Sequence, residues 1–398
     1  MRPSQAIDEV FRRAVAAGAV PGVVAMAASD RGIVYEGAFG RRDLGGAVAM
    51  TQDTVFRIAS MTKTVTSVAA LQLVEAGRLS LDGDLPDIDP ALNAPQVLEG
   101  FDAVGRPILR PARRKITLRH LLTHTAGFSY EAWNANTLRY VAATGMPSTS
   151  TGKLAALRLP LAFEPGEHWH YGINIEWVGR VIEAVSGMTL DAYLREHVTL
   201  PLGMVDTGYV ASPAQRARLA SAHQHGADGT LTPLALETQA TPEFWPGGGG
   251  LMSTTPDYLR FLRMLLQGGA LDDVRILREE TVTLIGQNHC GALAAGILQT
   301  TTPARSNDVD LFPGQALRWG LGGMINMAAG PNGRSAGTLS WGGIYNSYFW
   351  LDPARRIAGV IMTQILPFAD PAALALYGGF ERGVYAGSGA SSGAVSGR

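Results

Sequence analysis

The segments with strand character lie at the two ends of this chain, and that separation constrains the fold more than any other feature. Near the start, Gly22-Val-Val-Ala-Met-Ala-Ala-Ser29 runs through Asp30-Arg31-Gly32 into Ile33-Val-Tyr-Glu-Gly-Ala-Phe39, two apolar stretches joined by a tight turn, which reads as a β-hairpin preceded by a helix. Near the other end, Ala336-Gly-Thr-Leu-Ser340, Tyr348-Phe-Trp-Leu351 and Ile357-Ala-Gly-Val-Ile-Met-Thr363 have the same character, and the last two flank the turn signal Asp352-Pro353. Strands so far apart are most simply joined in one antiparallel sheet covered by helices. From Ser60 to Gly77, Met61, Val65, Val68, Ala69, Leu71, Leu73 and Val74 mark a mostly buried helix with Gly77 as its C-cap. Asp257 to Leu266 forms an amphipathic one. The expected class is therefore α/β in the α+β sense, an antiparallel sheet flanked by helices, with a mainly helical inserted domain. Residues 1–84 and 241–385 would form the discontinuous α/β domain. Residues 85–240, where Pro/Gly-rich loops alternate with helical stretches such as Leu118 to Thr123 and Ile175 to Val185, would form the insertion. The Gly/Ser/Ala-rich residues 386–398 are expected as a disordered tail.

A chain of 398 residues suits two domains or one domain with an insertion, and it can bury a deep site. Only 17% of residues are charged and the net charge is -1, so no single-sign field points to nucleic acid or acidic lipid. Arg12-Arg13 before the apolar run Ala14 to Ala28 superficially resembles an export signal. Asp8 and Glu9 precede it, however, Pro21 interrupts it, and it continues into the hairpin. No apolar run reaches the roughly 20 residues of a membrane span. A cytoplasmic protein acting on a small, neutral molecule is expected, without cofactor, and either a monomer or a homodimer. The one cysteine, Cys290, can form no intramolecular disulfide and has no Cys-x-x-Cys partner for a metal cage.

Ser60-Met-Thr-Lys63 places a lysine amine one helical turn from a serine hydroxyl. A serine alcohol needs a base to become a nucleophile, and a helix N-terminus offers backbone N–H groups to an oxyanion. The pattern alone is weak, since such a pair recurs about once by chance in a chain of this length. Ser150-Thr-Gly-Lys153 is a second match, but it sits in a loop and contains a helix-disfavouring glycine. Tyr171, in His168-Trp-His-Tyr-Gly-Ile-Asn174, precedes a helix. Its phenol becomes a usable base when a lysine cation such as Lys63 lies nearby, although an isolated tyrosine is more often a packing residue. Ser340-Trp-Gly-Gly-Ile-Tyr345 ends a predicted strand. Its two glycines permit close backbone approach, and an edge N–H could complete an oxyanion hole with that of Ser60; the plainer reading is a glycine turn beside a packed tryptophan.

Rival motifs fare worse. Gly389-Ala-Ser-Ser-Gly393 matches a nucleophile elbow but has neither strand before it nor acid and histidine after it. His168 with His170, His223 with His225, and His120 with His124 lack the glutamate base of a metal hydrolase, and Gly247-Gly-Gly-Gly250 lacks the lysine of a phosphate loop. Neither metal nor nucleotide is expected.

Taken in order, Phe56-Arg-Ile-Ala-Ser-Met-Thr-Lys63, Ile116-Thr-Leu-Arg-His-Leu-Leu-Thr-His-Thr-Ala-Gly127, Glu164-Pro-Gly166 before Tyr171, and Gly248-Gly-Gly-Leu-Met-Ser-Thr254 resemble the serine β-lactamase and penicillin-binding-protein superfamily, in particular class C β-lactamases and family VIII carboxylesterases. The resemblance implies a β-lactamase/transpeptidase-like fold with Ser60 as nucleophile, Lys63 assisting proton transfer and Tyr171 as general base and later acid. It further implies an oxyanion hole from the N–H groups of Ser60 and Ile344. Class C enzymes carry Lys-Thr-Gly where this chain has Trp341-Gly342-Gly343. Losing that cation favours an uncharged acyl substrate, as in the Trp-x-Gly pattern of the esterases. Asn174 falls one residue late against the family's Tyr-x-Asn, so its role is not carried over; Tyr130 is a candidate cleft residue. The implied activity is hydrolysis of short-chain carboxylic esters through an acyl-enzyme. The alternatives are β-lactamase, D-peptidase or amidase, acyltransferase, and a non-catalytic ligand sensor. The sensor is disfavoured because Ser60, Lys63 and Tyr171 are all retained.

Overall fold

Seven strands join the two ends of the chain in one antiparallel sheet. The computed structural model describes residues 3–226, 228–236 and 242–389. The hairpin supplies β1 (Gly22–Ser29) and β2 (Gly32–Gly40). The C-terminal part supplies β3 (Leu317–Trp319), β4 (Met324–Asn326), β5 (Leu339–Gly343), β6 (Ser347–Asp352) and β7 (Ile357–Met362). Their spatial order is β3-β4-β5-β6-β7-β1-β2, with Val24 opposite Met362 and Ser29 opposite Ile357 where the chain ends meet. The longer helices are α1 (Pro3–Ala16), α2 (Thr62–Glu75), α3 (Asn174–Ser186), α4 (Thr255–Leu266) and α5 (Pro371–Gly389). On one face of the sheet α1 and α5 meet through Phe11 and Phe380, whose ring centroids are 6.0 Å apart. On the other, α4 lays Tyr258 against Phe349 of β6 at 5.5 Å. Covered on both faces, β6 and β7 are buried at every position, which is why they read as continuous apolar runs rather than alternating ones. α2 packs against α3 and is buried from Thr62 through Leu71, so its apolar and small residues go all the way round.

Several boundaries differ from expectation. The strand anticipated at Ala336–Ser340 is Leu339–Gly343, so Trp341, Gly342 and Gly343 lie inside the sheet, paired with Phe349, Tyr348 and Ser347. The stretch 85–240 contains helices but also two hairpins, Gln96–Phe101 with Pro107–Pro111 and Ala222–His225 with Leu231–Leu234. Ile365–Leu366 adds a parallel strand to the second. Prolines and charged residues within these short, half-exposed strands hide the period-two pattern. α5 continues through Gly389, so residues 386–389, expected as tail, are helical. Residues 390–398, and with them most of the Gly389–Gly393 motif, lie outside the described residues. Among the described residues no helix is long and apolar enough to cross a membrane.

Candidate active site

The strand Val55–Arg57 pairs with Met252–Thr254, and the Ile58 N–H donates to the Leu251 carbonyl at 3.0 Å. The chain then turns sharply. Ala59 adopts a left-handed φ of 44°, a strained conformation for a residue with a side chain, and the 3₁₀ turn Ala59–Met61 leads directly into α2. Ser60 is thereby set at the head of a buried helix. The glycine segment after Pro246 runs beside the first turns of that helix, tied to it by Thr66 Oγ1 on the Gly247 carbonyl at 2.8 Å and by the Leu251 N–H on Thr62 Oγ1 at 3.3 Å.

Lys63 is 3% exposed, and its ammonium donates to Ser60 Oγ at 3.3 Å, Tyr130 Oη at 3.0 Å and the Gly248 carbonyl at 2.6 Å. Three acceptors match its three hydrogens, so Ser60 receives a hydrogen bond and keeps its own hydrogen for a base. The Tyr130 hydroxyl donates onward to Glu176 Oε1 at 2.6 Å. Burial first, and then the Glu176 carboxylate, push the Tyr130 phenol well above its usual range. With its hydrogen committed to Glu176, Tyr130 is poorly placed to take the Ser60 proton.

Tyr171 is placed differently. Lys63 Nζ lies 4.8 Å from its ring centroid, and its oxygen accepts the indole N–H of Trp341 at 2.9 Å. Aromatic rings enclose it, with centroids at 5.0 Å for Trp341, 5.4 Å for Trp133, 5.5 Å for Tyr130 and 6.2 Å for Trp319. On its remaining side His124, whose ring centroid is 4.7 Å away, receives the Asn174 amide on Nδ1 at 2.8 Å. Burial and then the Lys63 cation hold this imidazole neutral. Asn174 thus supports the floor of the site through His124.

The structure brings Ser60, Lys63, Tyr130, Tyr171 and Trp341 together. β4 pairs with β5 only through Leu339 and Ser340, so the stretch from Trp341 onward turns a free edge to the Ser60 turn. Gly343 permits this approach: a Cβ there would stand 2.3 Å from the Ile58 carbonyl oxygen. Ile344, half-buried, begins the bend into β6. A Cβ on Gly342 would meet the ring of Tyr348 at 2.6 Å, on the face that Tyr348 shares with Tyr377 of α5. Ser150 and Lys153 form no pair: both are exposed and separated by Gly152 at φ 67°. The histidine pairs scatter into local contacts, among them His225 with Asp370 at 2.7 Å and His170 with Asn134 at 3.2 Å. Among the described residues no three His, Cys, Asp or Glu side chains are grouped as a metal would need.

Sequence reasoning missed Glu176, the Gly248 carbonyl and the tryptophans Trp133 and Trp319. Glu176 left one trace, an acid between Ile175 and Trp177 on the apolar side of α3. The glycine run left another, since a Cβ on Gly248 would stand 2.3 Å from Glu176 Oε2.

This fold and this constellation define the class: residues 7–381 match the family described as Beta-lactamase, and the chain belongs to it. Among individual proteins, it is 34% identical to monacolin J acid methylbutanoyltransferase of Aspergillus terreus over 96% of both chains. It is 33% identical to lovastatin esterase of Penicillium rubens, over 91% of this chain and 93% of the relative. The solved structure of unliganded simvastatin synthase from Aspergillus terreus superposes with a TM-score of 0.83 at 31% identity, covering 97% of this chain and 98% of that one. The chain is accordingly an enzyme of the serine hydrolase superfamily.

Proposed function

We propose that this enzyme transfers an acyl group through Ser60 to the hydroxyl of an apolar alcohol, with water as a competing acceptor that yields ester hydrolysis. The sequence alone put hydrolysis first; the transferases among the relatives move the weight to transfer. One observation carries the reading, the unequal placement of the two phenols beside Lys63. Tyr130 has its hydrogen committed to Glu176. Tyr171 presents its oxygen with the Trp341 N–H as donor and the Lys63 cation against its ring, the two groups that would stabilise negative charge there.

In the first half-reaction Ser60 Oγ attacks the acyl carbonyl while its proton passes to Tyr171. The N–H groups of Ser60 and Ile344 are the proposed holders of the oxyanion. Tyr171 returns the proton to the departing alcohol or thiol, leaving an ester on Ser60. In the second half the acceptor hydroxyl gives its proton to Tyr171 as it attacks that ester, and Tyr171 then reprotonates Ser60. The aromatic enclosure favours an apolar acceptor over water, because stacking and burial reward a lipophilic alcohol and do nothing for water.

The test is turnover of 4-nitrophenyl butyrate with and without a lipophilic secondary alcohol, analysing products and using Ser60→Ala as control. New ester in place of butyrate, abolished by Ser60→Ala, is the expected outcome. Butyrate alone at every alcohol concentration would reduce the activity to esterase, and full activity in Ser60→Ala would remove the nucleophile. A chromogenic cephalosporin run in parallel should turn over poorly, Trp341 standing where a β-lactamase has its lysine.

A further inference from the structure

We infer that Glu176 is a positioning residue for the Ser60 chemistry: by taking the Tyr130 hydrogen it turns Tyr130 into an acceptor for Lys63 and so holds the Lys63 ammonium on the nucleophile. This rests on the reading of Ser60 and Tyr171 given above. A phenol beside an ammonium has one hydrogen to dispose of and cannot give it to the ammonium. Here the hydrogen goes to Glu176 Oε1 at 2.6 Å, and the phenol oxygen is then free to accept Lys63 at 3.0 Å. Without that acceptor the Tyr130 hydrogen would have to turn elsewhere, and Lys63 would lose one of the three contacts that fix its direction.

The surroundings of the carboxylate are built for this arrangement. Glu176 is 6% exposed, in the first turn of α3, and its second oxygen has no hydrogen-bond partner among the described residues. Gly248 closes over that oxygen so tightly that no side chain fits, while its own carbonyl takes a Lys63 hydrogen. One glycine therefore serves both ends of the chain Glu176–Tyr130–Lys63. An unbalanced buried carboxylate acts strongly on its neighbours, because little solvent screens it. Glu176 acts on Tyr130 together with Tyr171 and with Glu131, the first residue of the turn Glu131–Trp133, while Lys63 of α2 hydrogen-bonds the same phenol; Glu176 also acts on Tyr209, as do Asp191 and Glu183.

The test is the pH profile of kcat/KM for 4-nitrophenyl butyrate in Glu176→Gln, Tyr130→Phe and the double variant. Glutamine replaces the charged acceptor of the Tyr130 hydrogen with a weaker neutral one, loosening the hold on Tyr130, and removes the charge. Removing a negative charge makes each neighbouring proton easier to lose, so the whole profile should move to lower pH by about one unit. kcat should fall at least tenfold with KM little changed. Because Glu176 acts through Tyr130, the double variant should be no slower than Tyr130→Phe alone. A folded Glu176→Gln protein with an unmoved profile, or losses that multiply in the double variant, would overturn the inference. Should Glu176→Gln fail to fold, Tyr130→Phe decides: wild-type turnover there breaks the link and the inference with it, and a tenfold loss in kcat sustains it. Ser60→Ala separates the two levels. Inactive Ser60→Ala with an unmoved Glu176→Gln profile sinks only the role of Glu176, whereas active Ser60→Ala sinks the underlying reading.

Discussion

At the scale of single residues, the site works by assigning each hydrogen to one acceptor. Lys63 spends its three on Ser60, Tyr130 and Gly248, Tyr130 gives its own to Glu176, and Trp341 gives its own to Tyr171. Histidines enclose this arrangement in their neutral form. His170 donates its backbone N–H to the His124 carbonyl at 2.9 Å, and burial lowers its imidazole pKa from 6.5 to about 4. The unfolded chain binds that proton near 6.5 and the folded one only near 4, so stability present at neutral pH is lost as pH falls through this window. The full contribution is on the order of 3 kcal/mol. Thermal melts taken from pH 7 to pH 4 should therefore decline less steeply for His170→Gln than for the parent. Equal slopes would show that His170 is not among the groups that set acid stability; His124, also held neutral, would still contribute a slope to both.

At the scale of elements, catalytic geometry depends on how closely β5 approaches the turn before α2. Gly343 lies on the Ile58 carbonyl and within 3.4 Å of the Ala59 Cβ, measured from where its own Cβ would be. Gly343→Ala must push strand and turn apart, in a region already strained at Ala59. A loss of about 1–3 kcal/mol in stability is expected from such overpacking. Activity should suffer more than stability, because a shift of about 1 Å at Ser60 can cost on the order of a hundredfold in rate. Denaturation midpoints and ester turnover on the same preparation check this. A variant that loses stability but keeps its turnover would place the Ser60 turn under the control of the Leu251 and Tyr258 contacts instead, where Tyr258 Oη donates to the Met61 carbonyl at 3.0 Å.

At the scale of the whole molecule, α5 clamps the sheet whose strands come from both chain ends. Its Glu381 meets Arg334, in the connection between β4 and β5, and both are 1% exposed. Arg334 also donates to Tyr377 at 2.9 Å, and Asn332 donates to Glu381 at 2.9 Å. Breaking such a pair leaves a buried charge uncompensated, so Glu381→Ala should cost about 3–5 kcal/mol in chemical denaturation. Replacing both partners by apolar residues, Arg334→Met with Glu381→Leu, should restore most of that loss. A small cost for the single variant would mean that the guanidinium finds water on losing its partner.

Much of this was legible in the chain itself. The strand patterns at Gly22–Phe39 and Tyr348–Thr363 required one shared sheet, because each run is too apolar to stand alone. Ser60 and Lys63 were readable as a pair because helix geometry sets an i, i+3 contact locally. The position of β5 was misjudged by three residues, since Trp341-Gly-Gly carries turn chemistry yet is held extended by β6. The hairpins of the middle segment were hidden by their prolines. Tyr171 and Tyr130 could be nominated from the sequence, but their unequal roles could not. Which phenol meets Glu176 and which meets Trp341 is decided across separations of 46 and 170 residues. Over such distances no local periodicity sets a contact, and only the packing of α2, α3, β5 and the glycine segment into one buried core brings the partners within hydrogen-bonding reach.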